Sequence, residues 1–221
     1  WYQCGPKSAG NGALMRIAPM LIPHLKSPSA DLWVDAALAA MITHNDAASI
    51  SVCLAFVHML WQLLQMDRAP EPEWWVKTYV TTVQDSEGDT SYRPRWGANQ
   101  EYRGPCCEYA AQMVGEAWRR GMSVREAGNL WGSGAYLLET LPSVLYILMR
   151  HANDPEQAII RAVNDTKDND TIAAIVGAAV GALYGKSALP ERWLSGLLGR
   201  TSASDDGRVF ELLSQARPIW A

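Results

Sequence analysis

The sequence predicts an all-α protein, and three observations carry that reading. Apolar residues recur at helical spacing through most of the chain. Helix start and stop signals bracket those segments. Segments that alternate apolar and polar residues, as half-buried strands do, are scarce.

Taken in order, SAGNGALMRIAPM at residues 8–20 opens on a turn. Gly10 and Gly12 flank Asn11, and a helix-compatible run follows. A helix is predicted after Ser29 over ADLWVDAALAAMITH, and a second runs from Asp46, a fitting N-cap, to Met66. PEPEWWVKTYVTTVQ begins with prolines and acids, as helix starts do, so helix is preferred although its β-branched residues would suit a strand. CEYAAQMVGEAWRRG ends on Arg119, Arg120 and Gly121, a stop signature. Ser123 followed by Glu126 predicts a capping box.

GSGAYLLETLPSVLYIL at residues 132–148 reads as a flexible start and an apolar helix, with Pro142 marking a first turn or a kink. Asp154 and Pro155 open the next helix. TIAAIVGAAVGALYG is expected to be a central core helix whose small residues let its backbone approach neighbours closely. DDGRVFELLSQA gives a last amphipathic helix. Residues 85–104, DSEGDTSYRPRWGANQEYRG, lack periodicity and read as a loop of a length that often carries function.

The totals fit one domain over 1–221. Apolar residues make up 48% and charged residues 19%, which excludes a disordered chain. A net charge of -4 and no basic block give little support to a nucleic-acid surface. The four cysteines lack Cys-x-x-Cys spacing, which argues for reduced thiols in a cytoplasmic setting over zinc or a disulfide framework. No apolar run reaches the roughly 18–20 residues of a membrane span. The opening WYQCGPKSAGNG, without Met, leads us to expect that further residues precede Trp1 in the natural protein.

Chemistry concentrates in AVNDTKDNDTIAAIVGAAVGALYG, residues 162–185. Asp165, Asp168 and Asp170 crowd against a helix start. One Asp there is ordinarily an N-cap worth about 1 kcal/mol, and Asp168 or Asp170 could do only that. Capping does not account for three, because neighbouring carboxylates repel and Lys167 offsets one charge at most. A divalent cation offsets two. Asp168, Asp170 and Thr171 offer the hard oxygens that magnesium or manganese prefers. The spacing is not an EF-hand, since Asp170 and Val176 stand where Gly and Glu are needed. No His or Cys nearby supports zinc.

The Gly10–Asn11–Gly12 turn could present backbone N–H groups to a phosphate; a plain turn is the alternative. It is not a P-loop. His44, in THNDAAS between two helices, could donate to a phosphate or ribose oxygen, or only to a backbone carbonyl. Tyr136 could stack on a base or simply pack in the core.

Together SAGNGALMRIAP, THND, GAYLLETLPSVL and VNDTKDNDTIAAIVGAAVGALYG resemble, in order, the ADP-ribosylglycohydrolase family, which includes the dinitrogenase reductase-activating glycohydrolases. The resemblance implies a compact orthogonal helical bundle around a cleft with two magnesium ions. It implies a hydrolase that removes ADP-ribose from a modified protein side chain or related acceptor. Carried over by motif, Asp168, Asp170 and Thr171 would be metal ligands, the two aspartates acting in catalysis through the metals. Ser8, Gly10, Asn11 and Gly12 would cradle the diphosphate, His44 would reach a phosphate or the distal ribose, and Tyr136 would help to enclose the nucleotide.

Three departures stand out. Thr166 and Lys167 replace the Gly-Gly of many relatives, Ala135 replaces a Gly, and the family's Thr-Asp-Asp run, source of its other metal ligands, has no counterpart. Gly88-Asp89-Thr90 lies in the wrong place and lacks the second Asp. A non-catalytic ADP-ribose binder and an immunity-type interaction protein are the alternatives.

Overall fold

The computed structural model describes residues 4–26, 29–97, 99–197 and 208–220. Among these the regular structure is helical. Two isolated antiparallel bridges, Gly10 with Tyr136 and Tyr92 with Gly104, take the place of any sheet.

The capping residues do what their sequence positions require. Ser29 accepts from the Asp31 N–H at the start of α1 (Ala30–Met41). Asp46 accepts from Ala48 and Ser49 at the start of α2 (Ala47–Leu63). The β-branched segment is helical as α3 (Pro72–Val83), with Pro72 in the first turn. After α4 (Cys106–Arg119) the chain turns through Gly121 at φ 62°, a conformation that costs an L side chain energy. The Ser123–Glu126 capping box opens α5 (Val124–Trp131). Asp154 caps α7 (Pro155–Asp165) through Gln157 N–H. The final segments are α9 (Glu191–Leu197) and α10 (Arg208–Trp220). Asp205, Asp206 and Gly207 of the last expected helix lie outside the described residues.

Three expectations are corrected or narrowed. The run after Gly12 forms two 3₁₀ segments, Leu14–Arg16 and Ala18–His24, so no α-helix N-terminus stands behind the glycine turn. Of the two positions expected for Pro142, a first turn or a kink site within the helix, the structure takes the interior one, well inside α6 (Leu137–His151).

The third concerns the centre of the bundle, which α6 occupies. Every residue from Leu137 to Met149 is buried, and α6 packs against α3, α4, α5, α7 and α8. The Ala/Gly-rich helix α8 (Asn169–Tyr184) buries one face, through Ile172, Ile175, Val176, Ala179 and Val180. Gly177 and Gly181 point elsewhere, and a Cβ added at either would meet nothing within 4 Å among the described atoms. Close backbone approach is therefore not what those glycines provide.

The loop between α3 and α4 is tied down. The buried Glu87 carboxylate accepts the backbone N–H groups of Cys106 and Cys107, capping α4 from 19 and 20 residues away. The Tyr92 hydroxyl donates to Asp46 Oδ1 at 2.9 Å and accepts from Ala48 N–H at 3.2 Å. This fastens the loop to the start of α2.

Candidate functional site

The Gly10–Asn11–Gly12 turn meets three distant segments. Asn11 N–H donates to the Ala135 carbonyl at 3.0 Å, and Leu137 N–H donates to the Ala9 carbonyl at 2.9 Å. The Asn11 side chain, buried to 4% exposure, donates to Thr140 Oγ1 at 2.8 Å and to Asp168 Oδ2 at 2.5 Å. Thr140 passes its own proton to the Gly134 carbonyl at 2.7 Å. Asn11 thus spends its backbone N–H and both amide protons inside the protein, as a strut between α6 and the start of α8.

The glycines flanking Asn11 have a steric reason. A Cβ on Gly10 would stand 2.7 Å from His44 Nε2, and one on Gly12 would stand 2.7 Å from His44 Cε1. The imidazole lies against the turn. His44 Nδ1 is 3.0 Å from Thr43 Oγ1, which also accepts from the Arg16 guanidinium at 2.6 Å. The His44 Nε2 edge faces Gly10. Burial lowers the His44 pKa, Arg16 lowers it further, and Asp46 opposes them.

The three aspartates differ in their contacts. Asp165, with its side chain 8% exposed, pairs with Arg125 at 3.1 Å and Arg161 at 2.9 Å. Two arginines, not Lys167, neutralise it. Asp168 occupies the N-cap position of α8 but makes no capping bond with its side chain. Its carboxylate faces Asn11, while its N–H donates to the Ser133 carbonyl at 2.9 Å. Asp170 is exposed in the first turn, and its Oδ1 accepts from Thr171 N–H at 2.9 Å. The buried Thr171 hydroxyl lies 3.7 Å from Met15 Sδ.

A cleft of about 420 Å³ opens beside this junction, lined by Ser8, Gly10, Asn11, Gly12, His44, Arg95, Trp96, Ala135, Tyr136 and Glu139. All six residues expected to bind substrate therefore share one cavity. Asp168 is joined to it through Asn11, and Asp170 and Thr171 follow in the next turn. The metal-ligand type is right for a hard cation: two carboxylates and a hydroxyl at one helix start. Among the described residues no group of three His, Cys, Asp or Glu side chains converges there or elsewhere, so these donors by themselves would fill only part of an octahedral shell.

Several participants escaped the sequence reading. Ser133 holds the turn before α8 by accepting from Lys167 N–H at 2.9 Å, as well as from Asp168. Thr140 and Glu139 interrupt an apolar helix, which was a usable signal. Glu139 is 5% exposed, lines the cleft and accepts from Gly134 N–H at 3.0 Å; burial raises its pKa against the pull of that bond, Arg95 and Lys167.

The chain is similar to known proteins along almost its whole length. A family model described as ADP-ribosylglycohydrolase matches residues 1–218. An ADP-ribosylarginine hydrolase, Tri1, of Pseudomonas putida is 28% identical over 86% of this chain and 42% of its own. Human ADP-ribosylhydrolase ARH3 is 29% identical over 86% of this chain and 54% of its own. The ADP-ribosyl-[dinitrogen reductase] glycohydrolase of Rhodospirillum rubrum is 28% identical over 94% and 57%. A solved ADP-ribosylglycohydrolase-related protein complex superposes with a TM-score of 0.60 at 25% identity, covering 87% of this chain and 56% of that one. The chain spans about half the length of the curated relatives it matches. With its four motifs gathered around one cleft, it belongs to the ADP-ribosylglycohydrolase family.

Proposed function

We propose that this protein is a magnesium-dependent hydrolase that removes ADP-ribose from a modified protein side chain or a related ADP-ribosylated acceptor. The observation that carries the reading is the bond from Asn11 to Asp168, which couples an acidic helix start to a glycine turn lining a nucleotide-sized cleft. The activities in the relatives' names agree with it.

Asp168, Asp170 and Thr171 would hold magnesium, or manganese, with water completing the shell; the resemblance implies two such ions. When bound, the cation orients ribose hydroxyls and makes a coordinated water more acidic. The chain's own residues do the rest. Gly10 and Gly12 keep the floor of the cleft free of side chains beside His44, and the exposed Ser8 lines the same cleft. His44, its pKa lowered chiefly by burial, presents its Nε2 edge beside Gly10 and would donate from there to a phosphate or distal-ribose oxygen. Tyr136 walls the nucleotide, and Asn11 keeps floor and metal turn in register.

Release of ADP-ribose from an ADP-ribosylated arginine peptide tests the reading. Release in magnesium that stops in excess EDTA is expected; equal rates in both would contradict it. A second reading, a non-catalytic ADP-ribose binder or immunity-type partner, draws on the lack of a third metal-type side chain among the described residues. Calorimetry that gave the same ADP-ribose affinity with and without magnesium, with no release, would favour it.

A further inference from the structure

The cleft has a fixed cation that neither the glycine turn nor the acidic turn supplies. Arg95, from the loop between α3 and α4, lies with its guanidinium carbon 4.4 Å from the centre of the Tyr136 ring. Beside it, Lys167 Nζ lies 5.1 Å from the centre of the Trp96 ring. Among the described residues neither cation forms an ion pair or a side-chain hydrogen bond, unlike Arg125 and Arg161, which share Asp165. An aromatic face holds a guanidinium by its plane and leaves its N–H edge free for an anion.

Two other candidates for that anion are spent. Asn11 has committed its backbone and amide protons within the protein, and Arg16 is bonded to Thr43 and the Ala39 carbonyl. His44 is a neutral donor. Among the residues lining the cleft, Arg95 alone carries a permanent positive charge, and the one carboxylate there, Glu139, is bonded to Gly134 N–H. The loop bearing Arg95 is held by Glu87 and by Tyr92, so the guanidinium is presented from an anchored segment.

We propose that Arg95, with Lys167 at the rim, is the residue that recognises the diphosphate of the ligand, by paired charge-assisted hydrogen bonds from the face of Tyr136. This deepens the ADP-ribose reading and rests on it. The class of ligand recognised is a nucleoside diphosphate derivative, with the charge read by Arg95 and the approach allowed by Gly10 and Gly12.

Calorimetry on the whole chain with ADP-ribose, adenosine and inorganic pyrophosphate provides the test. Arg95→Gln is expected to weaken ADP-ribose about tenfold or more and to abolish pyrophosphate binding, leaving adenosine unchanged. Arg95→Lys should recover part of the loss. Arg93→Gln, a charge change in the same loop, should bind like the parent. Circular dichroism melts establish that each variant is folded. The proposal is overturned if Arg95→Gln binds ADP-ribose within about twofold of the parent, or if adenosine weakens equally. Arg95-dependent pyrophosphate binding with no ADP-ribose binding would keep the anion site and remove the ADP-ribose reading. No binding of either anion removes both.

Discussion

Gly10 and Gly12 show how residues that look like turn chemistry are fixed by a partner, His44, that is 34 and 32 residues away. The sequence made a turn legible, but the His44 ring, which explains both glycines, is visible only in three dimensions. An added methyl at either glycine must displace that ring. Gly12→Ala should therefore weaken ADP-ribose binding about tenfold or more while shifting the melting temperature by only a few degrees, measured by calorimetry and a thermal melt. Unchanged affinity would mean that the ring is not part of the binding surface. The same neighbourhood sets a pH dependence. The pKa of His44, like those of His58 and His151, is lowered from 6.5, with burial the leading cause in each. Folding thus favours the neutral rings, so their contribution is complete above the unfolded value and is lost as pH falls through the folded ones. Glu139, raised by burial, works in the opposite sense from 4.5 upward. Urea midpoints should fall from pH 7.5 to pH 5.5, and more steeply in the parent than in His44→Gln; a parent midpoint that held constant would refute the assignment.

At the scale of elements, caps and periodicity were readable because they are local. Asp46, Ser123 and Asp154 each bond backbone within three residues of themselves. Long-range restraints left no such trace. Glu87 sits in a polar stretch that carries no periodicity, yet it caps α4 and helps to hold the loop with Arg95 and Trp96. Glu87→Ala would leave two N–H groups at a buried helix start unpaired, a loss of about 2–3 kcal/mol readable in urea unfolding. It should also raise the dissociation constant for ADP-ribose, because the loop forms one side of the cleft. A loss of stability below about 0.5 kcal/mol would show that water replaces the carboxylate. The centre of the bundle was misassigned for a related reason. The Ala/Gly run of α8 suggested a central helix with close backbone approach to its neighbours, whereas burial is settled by which helices surround an element. α6, with Glu139 and Thr140 among its residues, is the one enclosed.

For the whole molecule, the order of four motifs made the family legible, and the fold explains why they occur together. The glycine turn, the histidine junction, the start of α6 and the start of α8 meet around one cleft, although Asn11 and Asp168 are 157 residues apart in sequence. Charge counting along the chain could not divide the work among the aspartates; the structure assigns Asp165 to two arginines and leaves Asp168 facing Asn11. That division supports the most direct test of the account: rates of ADP-ribose release from an ADP-ribosylated arginine peptide in magnesium, for the parent, Asp168→Asn and Asp165→Asn. Asp168→Asn should lose at least about a hundredfold while remaining folded, and Asp165→Asn should melt earlier but retain most of its rate below that melt. Equal rates for the parent and Asp168→Asn would contradict it.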